Sequence, residues 1–410
     1  MNLHFFYRIL NKYNYLKQNQ VYKFLRAIIF PFILKKVSKL LQSKVDDNLI
    51  VMSAYGGYEY LDNTKYLFEF LNRYSEYKLV WITRSQEILN KIRKKGYKAV
   101  YTYDLEAIRL LRKAKFIFIT HGYVDILPIE FSSETIVIFT WHGTPIKKME
   151  ESPIYEKWSD FFHLKLKYDQ YVDFMLTPTK DKREHKILSN AFKLYPKKIL
   201  PLGYPKLDLL FNKDENFIMS LKKSHQIPNN IDRIILYCPT YRKNFTLNFP
   251  FEPEHLKKLN NLLENTNSLF LIKAHLFVKN INFKNYRNIK VISKTANIEE
   301  LYLITDILIT DYSSTMLDFS LLNRPILLFP YDYDEYLKEI GLYYNLEDIA
   351  PGPIFFDADN LIESIKNISQ IDKDHKEKRI RIRDRFNKYI DGKSTERLLD
   401  FLKIDYRRNI

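Results

Sequence analysis

Short apolar segments alternate with amphipathic segments of helical period along most of this chain, and this alternation constrains the fold more than any other feature. Strands that helices cover on both faces are apolar throughout. The chain contains two series of such apolar segments, at 49–52, 78–82, 99–101, 116–119 and 135–139, and again at 233–237, 269–273, 290–292, 307–309 and 325–329. We therefore predict an α/β fold in which two doubly wound parallel-sheet domains face each other, with the break near residues 201–205.

The length and composition fit a large globular protein of two or three domains. The chain has 410 residues and only nine glycines, so we expect the glycines to lie where the backbone requires them. Its single cysteine, Cys238, excludes an internal disulfide and fits a reducing compartment. We expect no cleavable signal peptide, because the first apolar run lacks a small-residue cleavage site. No run approaches the ~20 apolar residues that span a bilayer.

Positive charge is concentrated in the leader, residues 1–45. The chain carries a net charge of +16, and the leader holds nine basic residues and no acidic one. Because the leader is also rich in aromatic and aliphatic residues, we expect it to lie on an anionic membrane surface. One alternative is a helix packed on the main body with a solvated basic face. A nucleic-acid contact is a third option, but no known reader motif is present, and we expect no nucleic-acid partner.

Fingerprints of common cofactor and metal sites are missing from the sequence. It has neither the G-x-G-x-x-G fingerprint nor the P-loop, which disfavours a dinucleotide oxidoreductase or an NTPase. No H-E-x-x-H or C-x-x-C spacing occurs, so a zinc site is not expected. Asp332-Tyr333-Asp334 resembles a metal-binding D-x-D, but its position after a strand favours a loop and the start of a helix. We therefore expect no cofactor and no protein-bound metal.

An anion-binding turn is predicted between the strands 307–309 and 325–329. The turn contains Asp311, Ser313 and Ser314 and runs into a segment of helical period. The two serines occupy the expected N-cap, where unpaired backbone N–H groups and the helix dipole favour an anion. A phosphate at the carboxyl end of a parallel strand is the ligand that this arrangement favours. The alternative is that Ser313 only caps its helix.

Histidines follow two strands of the first predicted domain. His142 comes directly after strand 135–139 and is followed by a glycine and two lysines. Open α/β sheets build their sites at the carboxyl ends of strands, so we interpret this histidine as functional. His121 follows strand 116–119 in the same way, but it has no lysines nearby, and its role stays open between structural and functional.

The second predicted domain supplies further cations at strand ends. Lys273 and His275 follow the strand that begins at residue 269, and Arg242 comes shortly after strand 233–237. These side chains and the two serines of the anion-binding turn are expected to meet in one cleft. Such a convergence of cations, imidazoles and backbone N–H groups favours a diphosphate site.

Together, these motifs resemble the ordered signature of the CDP-glycerol glycerophosphotransferase family of teichoic acid synthesis. The resemblance covers roughly residues 48–400, and the joint order of the motifs makes it specific. The chain departs from the family pattern at Leu276, where proline is common, and at Lys206, where arginine is more usual. The motifs lie at 140–145 (TWHGTP), 202–208 (LGYPKLD), 237–242 (YCPTYR), 273–275 (KAH), 310–314 (TDYSS), 318–319, 324–325, 331–332, 350–353 and 391–394.

The resemblance implies a GT-B-like pair of Rossmann-type domains facing a central cleft, peripheral on the cytoplasmic face of the cell membrane. We expect the leader at 1–45, an acceptor domain at 46–205 and a CDP-binding domain with C-terminal helices at 206–410. The implied reaction moves a polyol phosphate from CDP-glycerol, or another CDP-polyol, to a hydroxyl of an undecaprenyl-diphosphate-linked saccharide and releases CMP. The alternatives are a GT-B glycosyltransferase that uses a nucleotide sugar and a non-enzymatic basic binder.

The resemblance also assigns roles to residues. His142 is the implied general base, and its near-neutral reference pKa suits that role. His275 and Arg242 would stabilise charge on the diphosphate, and the two serines of the turn would hold its oxygens. The expected substrate-binding residues are Gly143, Thr144, Lys147, Arg242, Lys273, Asp311, Ser313 and Ser314.

Overall fold

The structure is a computed structural model that describes residue 38 and residues 44–149, 171–240, 242, 249–273, 283, 286–293 and 295–407. Almost all of the leader therefore lies outside the described residues, and so does His275.

A seven-stranded parallel sheet forms the first half of the described chain. Its order is β3-β2-β1-β4-β5-β6-β7, so the chain starts at the centre and winds outwards in both directions. The strands are β1 (Asp46–Met52), β2 (Lys78–Thr83), β3 (Ala99–Tyr101), β4 (Ala114–Ile119), β5 (Ile136–Phe139), β6 (Phe174–Leu176) and β7 (Ile199–Leu200). The α-helices described between them are α1 (Asp62–Tyr74), α2 (Gln86–Lys94), α3 (Leu105–Lys113) and α4 (Lys182–Phe192).

A five-stranded parallel sheet of order β10-β9-β8-β11-β12 forms the second half. Its strands are β8 (Arg233–Cys238), β9 (Ser268–Ile272), β10 (Ile289–Val291), β11 (Ile307–Thr310) and β12 (Ile326–Leu328). Its helices are α5 (Glu215–Ser224), α6 (Pro253–Asn265), α7 (Ile298–Ile304), α8 (Thr315–Phe319), α9 (Tyr333–Glu339), α10 (Leu346–Ile349) and α11 (Ala358–Lys366). The chain ends with α12 (Ile368–Phe386) and α13 (Ser394–Leu402).

The predicted alternation of strands and helices is confirmed. All ten predicted apolar segments form strands. The central residues of β1 and β4 are fully buried, as expected of strands that helices cover on both faces. The sequence analysis did not predict the short strands β6 and β7, which have three and two residues. None of the helices in the described ranges is long and apolar enough to cross a membrane.

The segment between the two sheets is packed against both halves of the chain. It forms a 3-10 helix at Pro205–Phe211. The carboxylate of Asp208 accepts hydrogen bonds from the backbone N–H groups of Ser394 (2.8 Å) and Thr395 (2.7 Å) at the start of α13. Helix α13 in turn reaches the first sheet, where the ring of Phe401 lies 5.1 Å from that of Phe174 in β6. The boundary predicted at residue 205 falls at this linker, and the domain limits stay a prediction.

Candidate active site at the junction of the two sheets

Two imidazoles stack at the carboxyl ends of the adjacent strands β4 and β5. The rings of His121 and His142 are nearly parallel, with an angle of 6° between their planes and 4.5 Å between their centroids. The ring of Tyr55 lies 4.7 Å from His121, and that of Trp141 lies 3.8 Å from His142. The pair lies where parallel sheets form their sites, because both strands end at the same edge.

A buried carboxylate fixes the backbone beside His121. Asp125 is fully buried and accepts hydrogen bonds from the backbone N–H groups of Thr120 (2.5 Å), His121 (2.7 Å) and Gly56 (2.7 Å). The hydroxyl of Thr120 lies 2.7 Å from Nδ1 of His121. These bonds hold the end of β4 against the loop that follows β1, and they set the orientation of the imidazole.

The turn that carries His142 is held by two side chains from elsewhere in the chain. Trp141 has a φ of 53°, in the left-handed region that bulky residues rarely adopt. The side-chain amide of Asn63 donates to the carbonyl oxygens of Trp141 (2.9 Å) and Thr140 (3.2 Å). The ammonium of Lys206 donates to the carbonyl oxygen of His142 (2.8 Å). The strained turn is therefore fixed by these contacts rather than by local preference.

The environment keeps both imidazoles neutral at pH 7. Burial lowers the pKa of His142 well below its usual value, and the neighbouring His121, Lys206 and Lys147 lower it further. Burial also lowers the pKa of His121, although the carboxylate of Asp125 acts in the opposite direction. Nδ1 of His142 is buried and has no hydrogen-bond partner among the described residues. A neutral imidazole with a free ring nitrogen can accept a proton.

The turn after β5 touches the start of helix α8 in the other half of the chain. A Cβ atom at Gly143 would lie only 2.6 Å from Oγ and 3.4 Å from Cβ of Ser314, so a larger residue there would displace the serine side chain or the loop. Ser314 is the N-cap of α8, and its side chain makes no capping hydrogen bond there. Oγ of Ser313 accepts a hydrogen bond from the backbone N–H of Thr315 (3.3 Å). The predicted anion-binding turn thus lies against the loop of His142.

Arg242 and two carboxylates form a second buried cluster. The guanidinium makes four hydrogen bonds: two to Asp332 (2.5 and 2.9 Å), one to Asp311 (3.0 Å) and one to the carbonyl oxygen of Thr240 (2.6 Å). Burial disfavours the charge, but Asp311 and Asp332 outweigh it and raise the pKa of Arg242. Asp311 also accepts from the hydroxyl of Thr240 (2.5 Å), which joins the ends of β8 and β11. Contact of Arg242 and Asp311 with a diphosphate stays a prediction.

Lys273 lies at the end of β9, close to the junction. Its backbone N–H donates to the carbonyl oxygen of Tyr237 in β8 (2.9 Å). Burial lowers the pKa of its ammonium, whereas Cys238 and the carboxylates of Glu299 and Glu59 act in the opposite direction. Glu59 belongs to the first half of the chain and Glu299 to the second. Lys273 therefore experiences charges from both halves.

Thr144 lies next to a buried carboxyl group on α4. Burial raises the pKa of Glu184 to about 8, although hydrogen bonds from Thr177 and Thr144 lower it. Glu184 is fully buried, so at pH 7 it is mostly the neutral acid. Thr144 is buried too, which leaves its predicted substrate contact as a prediction.

Lys147 lies in a short segment that pairs with the second half of the chain. It forms an antiparallel bridge with Leu342. The backbone N–H of Tyr343 donates to the carbonyl oxygen of Ile146 (2.8 Å). This pairing places Lys147 beside the histidine loop, consistent with its effect on the pKa of His142.

The structure thus brings Gly143, which follows His142, into contact with Ser314. The roles predicted for the site residues stay predictions, and His275 lies outside the described residues. Asp332 is the N-cap of α9, which confirms the prediction that a helix starts at the Asp332-Tyr333-Asp334 motif. No group of three His, Cys, Asp or Glu side chains within the described ranges is placed to hold a metal ion. The sequence analysis missed buried polar residues whose neighbours give no local signal, namely Asn63, Asp125 and Glu184, and it noted Lys206 only as a departure from a motif.

Comparison with known sequences identifies similar proteins. A sequence model of the family described as CDP-Glycerol:Poly(glycerophosphate) glycerophosphotransferase matches residues 34–403. A teichoic acid glycerol-phosphate transferase of Staphylococcus aureus is 30% identical over 389 residues, covering 88% of this chain and 94% of that protein. A teichoic acid poly(glycerol phosphate) polymerase of Staphylococcus epidermidis is 27% identical over 89% of this chain. The chain spans about half the length of that polymerase (52%).

Comparison with solved structures identifies proteins with a similar fold. A structure of the wall teichoic acid polymerase TagF, soaked for 15 minutes with CDPG, superposes with a TM-score of 0.76 at 25% sequence identity. The match covers 94% of this chain and 98% of that one. The similarity confirms the predicted GT-B-like arrangement of two Rossmann-type domains.

Proposed function

This chain belongs to the CDP-glycerol:poly(glycerophosphate) glycerophosphotransferase family, and we propose that it transfers glycerol phosphate from CDP-glycerol to a hydroxyl of a lipid-linked acceptor in teichoic acid synthesis. One observation carries the proposal. A neutral imidazole with a free ring nitrogen, His142, lies on a loop that contacts the N-terminus of helix α8 at Ser314. A base and an anion-binding turn side by side are what transfer of a phosphate group to a hydroxyl requires.

In the proposed reaction the acceptor hydroxyl attacks the β-phosphorus of CDP-glycerol in line. A bond forms between the acceptor oxygen and this phosphorus, and the bond from the phosphorus to the bridging oxygen breaks. CMP leaves with the electron pair, and the hydroxyl proton passes to His142. Ser313, Ser314 and the N-terminus of α8 would hold the phosphate oxygens. Lys273, and His275 outside the described residues, would balance the developing charge. Positioning and charge stabilisation supply most of the catalysis in reactions of this class.

The proposal also covers the acceptor and the location, which follow from the family resemblance and from the composition of the leader. The acceptor is an undecaprenyl-diphosphate-linked saccharide, as the family resemblance implies. Such an acceptor stays in the membrane, so the enzyme would act at the membrane surface. The family resemblance implies the cytoplasmic face. The basic and aromatic composition of the leader supports a peripheral contact with anionic lipid there.

The proposal is tested with purified protein, a lipid-linked disaccharide analogue and four donors: CDP-glycerol, CDP-ribitol, a UDP-sugar and a CDP-sugar. We expect CMP release from CDP-glycerol and a product heavier by one glycerol phosphate in mass spectrometry. If only CDP-ribitol serves as a donor, the transferred group is ribitol phosphate instead of glycerol phosphate, and the proposed type of reaction still holds. Transfer of a sugar, with no CMP from either CDP-polyol, would instead make the protein a GT-B glycosyltransferase.

The same assay tests the base. His142→Ala should lower turnover by on the order of 10²–10⁴, the range for loss of a general base. His375→Ala, on α12, is the matched control, because the one hydrogen bond of that imidazole within the described ranges is to its own helix, at the carbonyl oxygen of Ile371 (3.0 Å). Near-normal turnover in folded His142→Ala would exclude it as the base.

A further inference from the structure

Lys206 is a buried cation at the point where the two halves of the chain meet. Its ammonium donates to the carbonyl oxygen of His142 (2.8 Å). It also pairs with the carboxylates of Asp318 (3.3 Å) and Glu299 (3.5 Å). All three charged side chains are 5–6% exposed, so water screens these interactions little. Burial lowers the pKa of Lys206, but Asp318, Asp62 and Glu299 outweigh it and raise this pKa well above its usual value. The side chain therefore stays charged.

The partners of Lys206 come from different parts of the site. The carbonyl group belongs to the residue proposed as the base, at the end of β5. Asp318 lies on α8, the helix whose N-cap, Ser314, faces Gly143. Glu299 lies on α7, next to β11. One ammonium thus connects the turn that carries His142 with the helix that presents the anion-binding serines.

We propose that Lys206 is a positioning residue, which couples helix α8 to the loop of His142 and so sets the base relative to a phosphate bound at Ser313 and Ser314. This inference rests on the proposed function. Because the turn at Trp141 has a left-handed backbone, the contacts of Lys206 and Asn63 decide where the imidazole lies. Misplacement of a catalytic group by about 1 Å can cost on the order of 100-fold in rate.

A purely structural role makes a different prediction. A cation that only joins the two halves would affect stability, and turnover of the folded protein would stay unchanged.

Lys206 also influences the charge of the base itself. The groups that face His142 are His121 at the end of β4, Lys147 after β5 and Lys206 in the linker, and each disfavours the imidazolium. Removing the ammonium should therefore make His142 easier to protonate.

The test compares Lys206→Met, Lys206→Arg and a matched control in CMP release and in calorimetry with CDP. We expect Lys206→Met to lower kcat by roughly tenfold or more with little change in CDP affinity. Lys206→Arg should recover most of the activity, because arginine keeps the charge and the donors. The control is Arg379→Met, which removes a buried cation that pairs with Asp372 on the same helix (2.6 Å). Arg379 also donates to Asn323, beyond α8 (3.1 Å), but the described contacts include none between it and the loop of His142. This variant should lower stability without lowering kcat.

A second readout does not depend on substrate. NMR titration of labelled histidines should show the His142 signal titrating at higher pH in Lys206→Met than in the wild type. A wild type that releases no CMP overturns the proposed function, and the titration still decides whether Lys206 acts on His142.

If Lys206→Met does not fold, Asp318→Asn decides, because it keeps the shape and removes one carboxylate partner. We expect it to lower kcat in the same direction. A wild-type kcat in folded Lys206→Met, or in Asp318→Asn when only that variant folds, overturns the coupling.

Discussion

The imidazoles of His121 and His142 lie parallel and 4.5 Å apart, in an environment that buries both. Two imidazolium ions at this distance would repel strongly, so the pair carries at most one positive charge at a time. If His142 accepts a proton from the acceptor hydroxyl, His121 must stay neutral during that step. The stacked pair therefore makes the activity sensitive to pH in a defined direction.

The first prediction concerns the acidic limb of the pH profile. His142 must be neutral to act as a base, and its lowered pKa keeps it neutral as the pH falls through 6.5. The acidic limb of kcat/KM for CMP release should therefore have its midpoint below 6.5. In His121→Asn, which removes a neighbour that disfavours the imidazolium, this midpoint should move to higher pH. A wild-type midpoint at or above 6.5 would contradict the assignment.

The second prediction concerns the anion-binding turn. Ser313→Ala combined with Ser314→Ala should weaken CDP binding by roughly 1–3 kcal/mol, the range for hydrogen bonds to a charged group. Isothermal calorimetry with CDP measures the change. Ser220→Ala is the control. Among the residues that the structure describes, this hydroxyl on α5 bonds within its own helix alone, to the carbonyl oxygen of Phe217 (2.6 Å). Unchanged affinity in the double variant would exclude the two hydroxyls from CDP binding.

The third prediction concerns the close approach at Gly143. Gly143→Ala should place a methyl group 2.6 Å from Oγ of Ser314 and push the histidine loop away from α8. We expect kcat/KM to fall by roughly tenfold or more, since positioning is lost. Gly96→Ala is the matched control. Gly96 has a φ of 81°, and apart from its chain neighbours no atom of the described part of the chain lies within 4 Å of the added Cβ. Alanine there should therefore lower the melting temperature but not kcat/KM. Equal effects of both variants on kcat/KM would refute the role of this contact.

The fourth prediction concerns Glu184 and stability. A carboxyl group with a folded pKa of about 8 and an unfolded pKa near 4.5 binds more protons in the folded state between these values. Its favourable contribution is complete below pH 4.5 and is lost as the pH rises to 8. A difference of one between the folded and unfolded pKa values corresponds to about 1.4 kcal/mol of unfolding free energy.

Glu184→Gln mimics the neutral acid and should avoid this loss. Its melting temperature relative to the wild type should rise from pH 5 to pH 8 and then level off, as measured by circular dichroism. A difference that stays constant with pH would mean that Glu184 is ionised in the folded protein.

The fifth prediction concerns the leader. Each basic residue near an anionic surface contributes about 1 kcal/mol at best. Replacing three basic residues of the leader by glutamine should therefore reduce flotation with phosphatidylglycerol vesicles, and high salt should do the same to the wild type. CDP affinity should not change. The three residues are Arg8, Lys12 and Lys17.

An equal loss of charge elsewhere provides the control. Lys373, Lys376 and Arg381 are exposed on α12, and their replacement by glutamine removes the same three charges. This variant should float like the wild type. If it is released and the leader variant is not, the membrane contact lies on α12 instead.

The strands and the main site motifs could be predicted because they are local. Strand β11, the serines after it and α8 follow one another within a few residues, so periodicity and N-cap preference were enough. His142 was found for the same reason, since it directly follows a buried strand. The contact between Gly143 and Ser314 could be expected only as part of a general convergence at one cleft.

The residues that hold the site could not be predicted from the sequence. Lys206, Asn63 and Asp318 are far apart in the chain, and only the packing of the two halves makes them neighbours. Arg242 shows the opposite limit. The motif predicts that Arg242 lies near the cleft, but it does not predict the four hydrogen bonds that the guanidinium makes to the protein. Two of the partners, Asp311 and Asp332, are about 70 and 90 residues further along the chain, and only the fold makes them neighbours of Arg242.

The only cysteine of the chain can report how often the second sheet opens locally. Cys238 ends β8 next to Lys273, is buried, and has a pKa raised to about 12 by that burial. At pH 7 the thiolate fraction is then on the order of 10⁻⁵, so an alkylating reagent reacts only after the second sheet opens locally. The rate at which Cys238 is alkylated therefore measures the frequency of these openings, and no cysteine needs to be introduced. A nucleotide bound at the ends of β8, β9 and β11 should slow the labelling, since it stabilises the closed form.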